Sequence, residues 1–210
     1  MLFYLSSYLL GNQTEFLREK SKTYPKIGYI SNAMDFKNVD LQRLENSNRE
    51  NVKSLENLGF QVETINLQDY FDDSSLLENK LNELSGLFVR GGNVFALRQA
   101  MKLSGLDNIL LKFYRDSKSY LYIGYSAGIC VLSPNLKGLE LVDSAQDSIY
   151  LGRAGLVWQG LNIINYSIAP HYKSDHGESE LIGKVVEYFI EQKVLFKVLR
   201  DGEVEIFENN

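Results

Sequence analysis

Cysteine is almost missing from this 210-residue chain, with Cys130 its one copy. That excludes an intramolecular disulfide and a zinc site built on cysteines, and it fits a reducing compartment. Cys130 lies in the apolar run 129–132 and reads as core filling. Histidine is scarce too: His171 and His176 are the two candidates for any imidazole chemistry. No Lys/Arg cluster follows one face, and 22 basic residues stand against 27 acidic ones for a net charge of −5. Nucleic acid and anionic membrane are therefore not expected partners. No apolar run approaches the ~20 residues of a membrane span. The apolar start MLFYLSSYLLGNQ lacks a positive n-region and a small-x-small cleavage site, and Ser6-Ser7 interrupt it. A first buried strand is expected there, and a cytoplasmic location for the protein. No repeat, low-complexity segment or linker divides the chain, so one domain over 1–210 is expected. A hydrophobic share of 44% with 23% charged residues suits a packed core.

What is present is an alternation of short apolar runs with amphipathic stretches. Strands are expected at 2–5, 26–31, 60–67, 87–89 and 119–123. Helices are expected at 14–22, from an Asp40 cap to Leu58, at 76–84 behind a Ser74 cap, at 94–102 and at 106–116. Gly59 stops the second of these. This α/β order predicts an open, mostly parallel sheet with helices on both faces. Ligands should then bind beyond the carboxyl ends of the strands. After Pro134 the pattern changes. Residues 139–143, 161–164 and 167–169 look strand-like, 144–160 has no clear period, and 178–190 returns to helix. The chain closes with runs at 196–199 and 204–207 about Asp201-Gly202, a hairpin pattern.

The chemistry centres on Gly124-Tyr125-Ser126-Ala127-Gly128, a G-x-S-x-G between a strand run and a helix run. In that context the serine is forced onto a sharp turn with its hydroxyl exposed. A serine needs a base to take its proton. Pro170-His171-Tyr172 follows the strand-like 167–169, which puts His171 at a strand exit where the elbow also opens. His176, in Lys173-Ser174-Asp175-His176-Gly177, reads as a solvated loop residue. The base needs an acid partner. Asp143 and Asp147 lie between Ser126 and His171, with Glu140 a third candidate, and chain order alone does not choose among them. For the oxyanion, the Ala127 N–H is one expected donor. Gly91-Gly92-Asn93, at the end of the neighbouring strand, offers a second in Gly92.

Three segments together, Phe88-Val89-Arg90-Gly91-Gly92-Asn93-Val94-Phe95, Gly124-Tyr125-Ser126-Ala127-Gly128 and Ala169-Pro170-His171-Tyr172, resemble the dipeptidase E family of serine peptidases, relatives of aspartyl dipeptidases and of cyanophycinase. The resemblance covers essentially the whole chain. It implies a three-layer, flavodoxin-like sandwich of the class I glutamine-amidotransferase type. It also implies a serine hydrolase without metal or cofactor, acting on short peptides as a monomer or homodimer. Ser126 falls on the family's nucleophile, His171 on its base, and Gly92 and Ala127 on its oxyanion donors. The segment Ser133-Pro134-Asn135 through Leu141-Val142-Asp143-Ser144 matches the acid-bearing segment, which favours Asp143, with Asp147 second. Two features depart from the family. Residues 144–160 differ from the family's shorter segment, and Glu180 follows Gly177-Glu178-Ser179 where aspartyl dipeptidases carry an arginine. A carboxylate there would repel an acidic substrate side chain, which argues against strict Asp-Xaa specificity. The alternatives are an esterase of the α/β-hydrolase type, sharing the elbow and the Ser…Asp…His order, and a non-catalytic protein using the same pocket for a small ligand.

Overall fold

The computed structural model describes residues 1–209. The five apolar runs become strands β1 (Leu2–Ser6), β2 (Lys26–Ile30), β3 (Gln61–Thr64), β4 (Gly86–Val89) and β5 (Leu121–Tyr125). β6 (Ser167–Ala169), β7 (Phe196–Val198) and β8 (Val204–Glu208) complete the set among the described residues. The main sheet runs β3-β2-β4-β5-β1-β8, parallel throughout except for β8, which lies antiparallel to β1. β1, β4 and β5 are buried along their whole length. This is why they read as continuous apolar runs rather than alternating ones.

Helices cover both faces. On one side α1 (Thr14–Lys20) and α2 (Leu41–Asn57) bury Leu17 and Leu55 against Tyr4, Tyr29, Phe88 and Ile123. On the other, α3 (Ser74–Asn82), α4 (Val94–Ser104), α5 (Leu106–Arg115) and the short α6 (Ala127–Cys130) pack on Phe3, Leu5, Val89 and Tyr122. α8 (Ser179–Glu191) joins that larger core through Ile182, Val185 and Phe189. Each such side chain, fully withdrawn from water, contributes about 1.5–3 kcal/mol. Cys130 is buried in the same core, as its sequence context implied.

The expected caps mostly hold. Asp40 accepts the Arg43 N–H at 3.0 Å, and Gly59 ends α2 with φ +98°. The cap of α3 is Asp73 rather than Ser74, its carboxylate accepting from the Leu76 N–H.

Beyond Pro134 the sequence pattern misleads in three places. Residues 139–141 form a 3-10 turn, not a strand. Residues 161–164 make no strand; the Leu161 and Ile163 N–H groups satisfy the carbonyls of Val131 and Leu132 just past α6. The C-terminal hairpin does not form. β7 pairs in parallel with β6, and β8 crosses to the edge of the main sheet. Asp201-Gly202 is thus a corner between two sheets. The aperiodic stretch, with α7 (Leu151–Ala154) inside it, is held against α4 by polar side chains. Arg98 donates to the Gln159 carbonyl at 2.8 Å, Gln99 to Gly155 at 2.7 Å and Lys102 to Ala154 at 3.0 Å.

Candidate active site

Ser126 follows β5 directly and has φ +50° and ψ −117°, a backbone state that a non-glycine residue holds only under constraint. Three glycines make the constraint possible. A Cβ on Gly128 would lie 2.2 Å from the Val89 carbonyl oxygen, and one on Gly124 would lie 2.7 Å from that of Gly128. A Cβ on Gly91 would meet the Ser126 Cβ at 2.8 Å. The turn after β4 and the elbow after β5 are therefore in contact, and only glycine fits between them. Tyr122 Oη donates to the Gly128 carbonyl at 2.6 Å, bracing the elbow from within the core.

Gly92 has φ +143° and lies against the Ala33 carbonyl. Asn93 caps α4, its side-chain oxygen accepting the N–H groups of Phe95 and Ala96 at 3.0 Å. The amides of Gly92 and Ala127 have no backbone acceptor among the described residues.

His171 sits just past β6 with φ +58° and a side chain only 1% exposed. Ser7, the residue just past β1, fixes it: the His171 N–H donates to Ser7 Oγ at 2.8 Å. The ring Nδ1 lies 2.7 Å from Asp201 Oδ1. Ser7 Oγ is also 2.9 Å from that carboxylate oxygen, and the Asp201 N–H donates to Ser174 Oγ at 2.8 Å. The corner between β7 and β8 thus presents a carboxylate to His171. With Nδ1–H donating to Asp201, Nε2 is the free lone pair. Burial lowers the His171 pKa below its ordinary value; Asp201 counters this and the nearby His176 adds to it. The imidazole is therefore neutral at pH 7, as a general base must be.

Asp143, the favoured acid, does not meet His171. Its Oδ2 accepts the Val94 N–H at 2.8 Å, at the N-terminus of α4. Burial pushes its pKa up to about 7, against the lowering by that N–H, and Glu178 raises it further. A carboxylate at the positive end of a helix is a favourable pairing, which explains its place there. Asp147 is exposed, and Glu140 is spent on the Gly138 N–H of its own turn at 2.6 Å.

His176 is not a free loop residue. Its ring stacks on that of His171 with centroids 3.7 Å apart and planes 7° from parallel. Tyr8 sets its edge against both, at 5.8 and 5.2 Å. Glu180, expected to repel acidic substrates, points away: its side chain is 89% exposed and faces Lys184. Glu178, two residues earlier, does reach the site, its carboxylate 3.9 Å from His171 Nε2.

Ser126, Gly92, Asp143, His171, His176 and Glu178 line one cavity of about 490 Å³ at the carboxyl ends of the parallel strands. His171, His176 and Glu178 hold donor atoms within 4.8 Å of one another and could take a metal. His176 Nδ1, however, accepts the Glu178 N–H at 3.2 Å. That tautomer leaves Nε2 protonated and ill-suited to ligation.

Asp201 was hidden by its context. Asp-Gly between two strand runs is a standard turn signal, and turn chemistry explained the residue without a second role. Asp201 also follows His171 in the chain, outside the Ser…Asp…His order that the elbow suggests.

A family model described as peptidase family S51 matches residues 6–205. An uncharacterized peptidase of Listeria monocytogenes is 30% identical over 146 residues, 70% of this chain and 67% of that protein. One from Listeria innocua is 31% identical over 122 residues, 58% of this chain and 54% of that protein. A peptidase E of Streptomyces coelicolor is 27% identical over 128 residues, 59% of this chain and 49% of that protein. With these last two the match spans about half of the relative's length. Among solved structures, a Listeria monocytogenes protein provisionally assigned as peptidase E has a TM-score of 0.75 at 23% identity, covering 100% of this chain and 98% of that one. A peptidase from an acI-B1 actinobacterium has a TM-score of 0.69 at 15% identity, covering 99% and 83%. At these identities the structures speak for the fold, which is the class I glutamine-amidotransferase-like sandwich.

Proposed function

The chain belongs to peptidase family S51 and is a serine hydrolase, and from that premise we propose that it hydrolyses short peptides through a triad of Ser126, His171 and Asp201. One observation carries this reading. A buried histidine, oriented by a carboxylate at 2.7 Å, lines the same cavity as a serine held on a strained strand–helix turn.

Ser126 Oγ attacks the scissile carbonyl carbon while its proton passes to His171 Nε2. Asp201 holds the Nδ1–H tautomer and stabilises the imidazolium that forms. The carbonyl oxygen becomes an oxyanion facing the Gly92 and Ala127 amides, which have no backbone acceptor of their own. His171 then gives its proton to the departing amine nitrogen as the C–N bond breaks, leaving an acyl ester on Ser126. A water molecule, deprotonated by His171, attacks that ester and restores the serine. Asp143 has a different task. Capping α4 keeps Gly91-Gly92-Asn93 in place below it, so its contribution to catalysis is indirect.

The test is a comparison of a dipeptide and tripeptide library with p-nitrophenyl esters, on the natural protein and on Ser126→Ala. Peptide turnover that Ser126→Ala abolishes supports the proposal. Ester turnover without peptide turnover would make the chain an esterase instead.

A further inference from the structure

The cavity that holds Ser126 does not close on its α2 side. Further hollows open beside it, and Tyr8 and Ser47 line both them and the cavity itself. Tyr8 stands at the junction, 41% exposed, with its ring edge set on His171 and His176. One hollow, of about 510 Å³, lies between α2 and the loop after β1. Ser47, Glu50 and Ser54 supply one wall. Their spacing of three and then four residues puts them on one stripe of α2. Leu9, Leu10 and Asn12 supply the other wall.

The lining selects an occupant. Among the described residues around this groove Glu50 alone is charged, so a phosphate or another anion meets no counter-charge there. What the groove offers is main-chain chemistry. Leu9 turns through φ +49°, and the N–H groups of Leu9 and Leu10 and the Leu9 carbonyl have no backbone partner among the described residues. An extended peptide carries one donor and one acceptor per residue, the complement of such a rim. Ser47 and Ser54 are small and leave width for it. The seven residues from Ser47 to Ser54 span about 10 Å of helix, the length of about three residues of extended chain.

Resting on the peptidase reading above, we infer that this groove binds the substrate chain beyond the scissile pair, and that peptides of about five residues, rather than dipeptides, are the substrate class. Two residues occupy the cavity at Ser126, and the chain then passes Tyr8 and Ser47, which cavity and groove share. Contacts made there are remote from the reacting atoms, and they raise kcat/KM as the substrate lengthens.

The experiment measures kcat/KM for peptides of increasing length that share one scissile pair, extended on its amino side in one set and on its carboxyl side in another. One set should gain about tenfold or more by the fifth residue and then level off. A large ring introduced from either wall, by Ser54→Trp or by Asn12→Trp, should return the pentapeptide-to-dipeptide ratio towards one. Both positions are exposed, so the fold has room for the ring. No gain with length in either set, or a gain that both substitutions leave intact, would overturn the inference. Binding to Ser126→Ala is independent of turnover. A pentapeptide held about tenfold more tightly than its dipeptide, with that margin lost when Ser54→Trp is added, supports the groove even if no peptide is cleaved. Equal affinity for the two refutes it. Absence of turnover at every length, with that binding margin intact, would overturn the peptidase reading and leave the groove standing.

Discussion

Two aspartates compete for one role, and their exchange for asparagine separates them. Asp201 Oδ1 lies 2.7 Å from His171 Nδ1, whereas Asp143 Oδ2 lies 2.8 Å from the Val94 N–H. Asparagine at 201 offers either an amide oxygen without charge or an NH₂ donor. In the second case Nδ1 becomes the acceptor and the proton moves to Nε2, the atom that should take the proton of Ser126. Losing the charge removes a charge-assisted hydrogen bond of about 1.5–3 kcal/mol. The wrong tautomer adds to this, since the base must first be re-protonated against its own hydrogen bond. Together these predict a fall in kcat of roughly 10³–10⁴, or about 4–5.5 kcal/mol at 1.36 kcal/mol per decade. KM should change little, because Asp201 faces the histidine rather than the cavity. Asp143→Asn keeps an oxygen for Val94 and should cost less than about tenfold. The assay is steady-state hydrolysis of a good peptide at saturating and limiting concentrations, with circular dichroism to confirm the fold. A collapse of kcat in Asp143→Asn with Asp201→Asn near the natural rate would refute the assignment.

Two pH effects follow from the same groups. His176 lowers the pKa of its stacked neighbour His171, as burial does, while Asp201 and Glu178 raise it. His176→Ala removes a group that lowers it and lets water closer to the ring. The acid limb of the kcat/KM profile should therefore move to higher pH; a shift to lower pH would contradict the stacking account. Asp143 keeps its proton to about pH 7 in the folded chain, against an ordinary value of 3.8. Its raised pKa means that stability is full below the unfolded value and is lost as pH rises from there through about 7. The shift sets a ceiling of about 4 kcal/mol, and contact with the open cavity reduces it to the order of 2 kcal/mol. In urea unfolding, Asp143→Asn should match the natural protein near pH 4 and exceed it at pH 8. An equal loss at both values would mean that Asp143 acts only as a neutral hydrogen-bond acceptor.

The parts of this site that were legible in the sequence are those set by local chain geometry. Ser126 was readable because an elbow requires glycine at 124 and 128, and the contacts at 2.7 and 2.2 Å show why. The parallel strands were readable because burial on both faces makes them uniformly apolar. Asp201 was not readable, since its role depends on β7 leaving one sheet and β8 joining another across the Asp201-Gly202 corner. Two apolar runs about Asp-Gly look alike whether the strands pair with each other or with strangers. His176 was missed for a related reason. Its neighbours are polar and short-range, and the stacking partner that gives it a role is set by the turn after His171.

The most direct test of the account is a search for the acyl-enzyme itself. A rapidly acylating activated ester of a short N-blocked peptide, quenched in acid and followed by intact-mass and peptide mass spectrometry, should show the acyl mass on the peptide containing Ser126. The adduct should be absent in Ser126→Ala and should persist longer in Asp201→Asn, whose deacylation lacks an oriented base. An adduct on another residue, or peptide hydrolysis that continues undiminished in Ser126→Ala, would contradict it.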